Sequence, residues 1–298
     1  MSASGVVTHL PVPGGVEVVH RDVDLDARGL RVHVAEAGAP DAPPLVLLHG
    51  WPQHWWQWRK VLAPLAEDFR VLCPDLRGLG WTSAPASGYE KEELATDLLA
   101  LLDALDLPRV ALVGHDWGGW VGFLAVLRAP ERFSGFVAVS IPHPFPKPTR
   151  SLVVASVVGA YVPALASPVL GPRLIGSGWF VRRIFETPVG DRGIWRPGEV
   201  DAYVERFTSD PDRVHASVQY YRRFLVGEAP GIARGRYRAR DLRVPTHMLM
   251  GERDFLNDRS LFGSRSPQMT DEVVPGAGHF LPEAAPEVLV ARVRERLR

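Results

Sequence analysis

Several things are scarce in this chain of 298 residues. It has a single cysteine, Cys73, which excludes an intrachain disulfide. That residue sits in the apolar run "FRVLCPD" and is expected to be a small buried hydrophobe. Net charge is also missing: 34 basic residues balance 34 acidic ones, which argues against nucleic acid or an anionic membrane as partner. Lysine is rare among the basic residues, with only Lys60, Lys91 and Lys147, and is read as coding bias. The opening "MSASGVVTHLPVPGG" has no basic stretch followed by an apolar one, so a cytoplasmic location without a signal peptide is expected. Residues 151–172, "SLVVASVVGAYVPALASPVLGP", carry no charge and are long enough to span a bilayer. Pro163, Pro168 and Pro172 interrupt them, so a helix followed by a broken second segment is expected, with no membrane span.

What is present is an alternation of strand and helix patterns. "VEVVHRDVDLD" and "LRVHVAEAG" alternate apolar with polar residues, as half-buried antiparallel strands do. "PLVLLHG", "FRVLCPD", "RVALVGH", "FSGFVAVS" and "VPTHMLMGE" are continuous apolar runs, as buried parallel strands are. Between them, "WWQWRKVLAPLAEDF", "KEELATDLLALLDAL" and "GGWVGFLAVLRAPERF" have helical spacing. The pattern predicts an α/β protein with a mostly parallel, doubly wound sheet. Right-handed crossovers then put the strands' C-terminal ends, and the site, on one edge. The alternation stops at the proline-dense "IPHPFPKP" and resumes at Val244. This divides the chain into a core of residues 1–141 and 241–298 and a helical cap of residues 142–240 inserted over the active edge. The arginine-rich return, "IARGRYRARDLR", is read as a solvated linker.

Four signals fall at strand ends. In "GHDWGGW", Asp116 follows a buried strand and precedes a helix, in a glycine-flanked frame that exposes a nucleophile. Its competing reading is an N-capping aspartate. "HGWPQ" follows another strand and is either a tight turn or the loop whose amide joins an oxyanion hole; the two donors would be the Trp51 and Trp117 amides. Asp254 in "GERDF" and His279 in "GAGHF" follow the last two strands, although His279 taken alone reads equally well as a core histidine. The order nucleophile, acid, histidine is that of the α/β-hydrolases. His49 and His115, beside the motif glycines, are read as supports of loop geometry. No zinc-ligand spacing and no G-x-G-x-x-G occurs, so neither a metal nor a dinucleotide cofactor is expected.

With "HGWPQ", "DLRGLGWTSAP", "GHDWGGW", "GERD" and "GAGHF" in place, the chain resembles the soluble epoxide hydrolases of the α/β-hydrolase superfamily along nearly its whole length. Related dehalogenases share the aspartate elbow. Haloalkane dehalogenases commonly have asparagine where Trp51 stands, and haloacetate dehalogenases have arginine where Trp117 stands. The resemblance implies two cap tyrosines that donate to the epoxide oxygen. "VQYYRRF" matches a W-Y-R-like motif at Tyr221, with Tyr220 in place of tryptophan. Tyr161, seven residues before Pro168, fits the spacing of the second; Tyr220 and Tyr203 remain rivals. Thr82 stands where the family usually has serine, a change expected to touch only the loop.

The implied chemistry accounts for an aspartate at the elbow. An ionised carboxylate needs no base before it attacks an sp3 carbon to form an alkyl ester. His279, oriented by Asp254, then activates the water that attacks the ester carbonyl. The expected substrate is a small apolar or aromatic epoxide, its bulk argued from Trp51, Trp55, Trp56, Trp58 and Trp117. Dehalogenation through the same ester, or ligand binding without turnover, are the alternative functions. A homodimer is left open.

Overall fold

The computed structural model describes residues 10–145, 160–187, 193–258, 261–262 and 265–298. Eight strands form one sheet: β1 (Val19–Leu25), β2 (Leu30–Ala37), β3 (Pro44–Leu48), β4 (Arg70–Pro74), β5 (Val110–His115), β6 (Phe133–Val139), β7 (Thr246–Gly251) and β8 (Met269–Val274). Their order is β1-β2-β4-β3-β5-β6-β7-β8. The β1/β2 and β2/β4 pairs are antiparallel, and every later pair is parallel. The residue patterns account for this. All six residues of β5 and all of β7 are buried, as a strand covered on both faces requires. Strand β1, at the edge, alternates toward solvent. Cys73 in β4 is fully buried, as expected.

Helix α1 (Arg59–Ala66) connects β3 to β4, α2 (Lys91–Ala104) connects β4 to β5, and α3 (Trp117–Arg128) connects β5 to β6. The first crossover runs toward β1 and the other two toward β8. Right-handed connections of opposite direction place their helices on opposite faces. Accordingly α2 packs on α3, and α1 packs on the C-terminal helix α11 (Pro286–Leu297), which comes after the short α10 (Leu281–Ala284). Every residue of α3 from Trp117 to Leu127 is buried, which is why its sequence is apolar all round. The tryptophan-rich segment expected to be one helix is split: Trp55–Trp58 form a 3-10 turn before α1.

Strand order reverses at β3 and β5, which lie side by side and carry the loops after Leu48 and His115. That switch point is where a parallel sheet opens a crevice.

Between β6 and β7 the described residues contain no strand. They form α4 (Val162–Ala166), α5 (Leu170–Gly176), α6 (Trp179–Glu186), α7 (Glu199–Thr208), α8 (Pro211–Arg222), a π-helical segment (Arg223–Glu228) and α9 (Ala229–Ala233). Prolines 163 and 172 sit inside the first two short helices, with Pro168 between them, so the uncharged stretch is broken where its prolines fall. Its first part, residues 151–159, lies outside the described residues. Among the described residues no helix is long and apolar enough to cross a membrane. Helix α7 buries Val200, Tyr203, Val204 and Phe207, the i, i+3, i+4, i+7 stripe of a one-sided helix. Helix α8 starts at Asp210, whose carboxylate accepts from the Asp212 amide, with Pro211 in the first turn.

Buried polar side chains join these helices to the sheet domain. The Tyr220 hydroxyl donates to the Arg77 carbonyl at 2.9 Å. The Trp51 indole donates to the Ser217 hydroxyl at 2.9 Å. Arg59 pairs with Glu283 and, at 2.9 Å, with Glu199, and Tyr203 donates to Glu283 at 3.2 Å. Arg213 bonds the Thr82 carbonyl. In the return segment, Arg234, Arg236, Arg238, Arg240 and Arg243 are exposed, while Tyr237 is buried and donates to Glu92 at 3.0 Å.

Candidate active site

Asp116 ends the turn between β5 and α3 with φ 50° and ψ −123°. A non-glycine residue there is strained, and the surrounding turn must hold it. The approach is tight: a Cβ on Gly50 would come within 2.4 Å of the Asp116 Cβ, and one on Gly118 within 2.3 Å of the Leu48 carbonyl oxygen. Only glycine lets the β3 loop and the start of α3 meet this closely. Asp116 occupies the N-cap position of α3, but its side chain makes no capping bond. Oδ1 accepts instead from the Trp51 amide at 2.9 Å, and the Trp117 amide, next in sequence, also favours the charged carboxylate. One loop thus both turns tightly and presents its Trp51 amide to Asp116.

His279 lies opposite. Its Nδ1 is 3.1 Å from Asp254 Oδ2, and its Nε2 is 3.7 Å from Asp116 Oδ2. Asp254 Oδ1 accepts from the Leu256 amide at 2.9 Å. Burial works against the Asp254 charge, but the His279 ring and the Leu256 amide outweigh it and hold this carboxyl below the usual range. Asp116 responds oppositely. Burial raises its carboxyl above the ordinary aspartate value, opposed by His279 and by the Trp117 and Trp51 amides. Its side chain nonetheless keeps 16% of its surface open, so a ligand can reach it.

Tyr161, at the start of α4, and Tyr221, near the end of α8, bring their hydroxyls within 3.0 Å of each other. The packing of α4 on α8 closes the gap of sixty positions between them. Tyr221 packs edge-on against Trp51 and Trp117, at 5.2 and 5.7 Å between ring centres. Tyr161 packs edge-on against Trp51 at 6.4 Å. The pair thus stands over the two residues whose amides hold Asp116. Burial pushes both phenols up, and the Asp116 charge adds to this. The rivals point elsewhere: Tyr220 is spent on the Arg77 carbonyl, and Tyr203 on Glu283 and Arg59.

Both supporting histidines have structural partners. His49 Nε2 accepts from the Leu76 amide at 2.9 Å, and its Nδ1 lies 3.0 Å from the Gly50 carbonyl. His115 Nε2 lies 2.9 Å from the His279 carbonyl, so it props the loop that carries the histidine. Thr82 donates to the Asp75 carbonyl at 2.7 Å and accepts from the His33 amide at 3.0 Å, a loop tie that needs only the hydroxyl. The tryptophans divide. Trp51 and Trp117 face the tyrosines, but Trp55 packs on His20, and Trp56 packs on Tyr203 and Arg59. Trp55, Trp56 and Trp58 are buried away from the tyrosine pair; they are core residues and carry no argument about substrate size. Among the described residues no cluster of His, Cys, Asp and Glu could hold a metal.

Residues 43–161 match the α/β-hydrolase fold model. The soluble epoxide hydrolase of Corynebacterium sp. strain C12 is 30% identical over 284 residues, covering 92% of this chain and 95% of that protein. The chain belongs to the epoxide hydrolase family of α/β-hydrolases. Epoxide hydrolase 3 of Xenopus tropicalis is 28% identical over 94% of this chain and 78% of its own length. Among solved structures, ligand-free epoxide hydrolase CorEH superposes with a TM-score of 0.83 at 27% identity, covering 94% of this chain and 98% of that one. VrEH1 of Vigna radiata gives 0.79 at 26% identity, covering 94% and 97%. The eight-stranded, mostly parallel sheet with helices inserted after β6 is this family's fold.

Lys91, Glu228 and Phe224 carry no motif that marks them in the sequence as site residues, yet Lys91 and Phe224 pack on the Trp117 ring and Glu228 pairs with Lys91. The one available signal was Lys91 itself, one of three lysines in a chain that mostly uses arginine.

Proposed function

We propose that the protein hydrolyses an epoxide to a vicinal diol through an alkyl ester on Asp116, with the helices between β6 and β7 acting as the cap. The observation that carries this reading is the Tyr161–Tyr221 hydroxyl pair, 3.0 Å apart and facing an elbow whose nucleophile is a carboxylate. The two hydroxyls share one hydrogen bond. An epoxide oxygen can replace that mutual bond and accept from both. Their raised pKa values keep both phenols protonated at neutral pH, ready to donate as the ring opens.

Asp116 Oδ1 is held by the Trp51 amide, which leaves Oδ2 free to attack an epoxide carbon. A bond forms between Oδ2 and that carbon, the ring C–O bond breaks, and a tyrosine proton goes to the new alkoxide. Oδ1 becomes the ester carbonyl oxygen, already in place between the two amides. An ionised carboxylate needs no base to attack, so this step does not draw on His279, whose Nε2 lies 3.7 Å from Oδ2. With Nδ1 tied to Asp254, His279 takes a proton from water through Nε2, and the water oxygen adds to the ester carbonyl carbon. As this intermediate collapses the Cγ–Oδ2 bond breaks, the histidine proton passes to the departing diol oxygen, and the proton left on the Asp116 carboxyl restores the tyrosine. The amides stabilise the oxyanion at Oδ1; losing one such donor costs roughly a hundred- to a thousandfold in rate. The Trp51, Trp117 and Phe224 rings around the site favour an apolar or aromatic substituent on the epoxide.

A single turnover with excess enzyme in heavy-oxygen water tests this route. The label should appear in the Asp116 carboxylate, and the first diol should carry solvent oxygen at neither hydroxyl. Label passing straight into that diol means direct attack by water and overturns the ester. Turnover of alkyl halides with none of epoxides puts dehalogenation in its place.

A further inference from the structure

Lys91 and Glu228 form a fully enclosed ion pair that the chemistry above does not use. Lys91 Nζ lies 3.2 Å from Glu228 Oε2 and donates to the Tyr220 carbonyl at 2.6 Å. Glu228 Oε1 accepts from the Lys91 backbone amide at 2.8 Å. Lys91 is the first residue of α2, and Glu90 before it makes no side-chain cap, so Glu228 caps that helix from a distant element. The Lys91 ammonium also sits 4.6 Å from the centre of the Trp117 ring. Burying two charges costs several kcal/mol per ion, and replacing such a pair by apolar side chains is often neutral or stabilising. Stability alone is thus a poor reason for a pair in this place.

Its connections give a better one. Glu228 closes the π-helical segment Arg223–Glu228, which starts two residues after Tyr221. π-helical turns shift the register of the next residues along the helix and recur at functional sites. Phe224, in the same segment, packs edge-on against Trp117 at 5.1 Å. Lys91 therefore touches the backbone of Tyr220 and the ring of Trp117, the neighbours in sequence of Tyr221 and Asp116. A compact ammonium can sit over an indole while meeting a carbonyl and a carboxylate; a planar guanidinium presents its donors in a fixed fork.

We infer that Lys91 and Glu228 are positioning residues that hold Tyr221 over Asp116, so that they serve ring opening and not ester hydrolysis. This rests on the epoxide reading above. The Tyr220 carbonyl, the π-helical segment and the Trp117 ring tie them to the face of the site that meets Tyr221, whereas His279 hangs from the β8 loop, Asp254 and His115.

The test uses the full chain with Lys91→Met and Glu228→Gln combined, which removes both charges without stranding either. In a His279→Gln background, adduct on the Asp116 peptide, followed by mass spectrometry with styrene oxide as probe, should form about 10- to 100-fold more slowly, the scale of a misplaced catalytic group. With His279 present, hydrolysis of the preformed ester should change by less than about threefold, and in a Tyr221→Phe background the loss in alkylation should shrink to a similar factor, since the pair acts through that hydroxyl. Hydrogen exchange should speed up over residues 220–228 and leave α7 unchanged. Unchanged alkylation in a folded double variant, equal slowing of both steps, or the same loss with and without Tyr221 overturns the inference. Should the double variant fail to fold, Lys91→Arg, which keeps the charge pair but whose planar fork cannot meet the Tyr220 carbonyl, Glu228 and the Trp117 ring together, is read in the same way. If His279→Gln forms no adduct from any epoxide, the reaction assignment fails; the exchange pattern then decides for or against the clamp by itself.

Discussion

Asp116 and Tyr221 face the same space, but they are held by different means. Asp116 hangs from a strand end through a strained backbone, and the Trp51 and Trp117 main-chain amides meet it there. Tyr221 rides on a helix that meets the sheet domain through side chains, among the described residues: Tyr220 on the Arg77 carbonyl, Arg213 on the Thr82 carbonyl, Ser217 under the Trp51 indole, and Lys91 on the Tyr220 carbonyl. Backbone anchoring over-determines a position, because moving the residue means moving the sheet. Side-chain anchoring can be retuned one substitution at a time. On the proposed function, the sheet side then supplies a fixed reaction centre, and the helical side adjusts what is presented to it.

The sharpest way to break the comparison is on the sheet side. His279→Gln should lower steady-state turnover by at least about a thousandfold, the scale of removing a member of a catalytic triad. The first step should survive, so substrate mass should accumulate on the Asp116 peptide. Untouched substrate and no adduct would mean that the histidine is needed from the start.

The helical side should yield smaller, graded effects. Tyr221→Phe or Tyr161→Phe removes one charge-assisted donor, about 2–3 kcal/mol or roughly 30- to 150-fold in ring opening. The double Phe variant should be nearly inactive toward epoxides, while any reaction with an alkyl halide, whose leaving group needs no proton, should survive far better. Wild-type epoxide opening in the double variant would remove the tyrosines from the chemistry.

The smallest effect is a shift in pH dependence. Attack needs the Asp116 anion, and burial raises its pKa. Protonation as pH falls should therefore slow alkylation at a higher pH than the ordinary aspartate value of about 3.9 would give. Asp254 is shifted the other way and stays charged through that range. Stopped-flow tryptophan fluorescence across the acid range can follow alkylation through Trp51 and Trp117. An acid limb below the ordinary value would mean that the site is wetter than its packing implies.

The strands were legible in the sequence because burial on both faces forces continuous apolar runs, and half-burial forces alternation. The elbow was legible because a Cβ on Gly114 would come within 2.6 Å of the Gly118 carbonyl oxygen and one on Gly118 within 2.3 Å of the Leu48 carbonyl oxygen, so that only glycine fits. The order of Asp116, Asp254 and His279 follows from their strands. Beyond the sheet, local pattern stops being informative. Tyr161, Tyr203, Tyr220 and Tyr221 all sit in helical, partly apolar segments, and nothing local separates a proton donor from a core phenol. Only the packing of α4 on α8 selected the pair 3.0 Å apart and sent the other two to Arg77 and Glu283. The same holds for the tryptophans near the β3 loop, of which Trp51 reaches the site and Trp55, Trp56 and Trp58 do not. Lys91 and Glu228 lie 137 positions apart, and their pairing leaves no periodic trace. The sequence by itself determined the elements, their mostly parallel arrangement and the residues at strand ends, since these follow from backbone geometry and burial. Tertiary structure alone decided which helical side chains turn toward Asp116, because that choice depends on contacts between helices that sequence separation does not constrain.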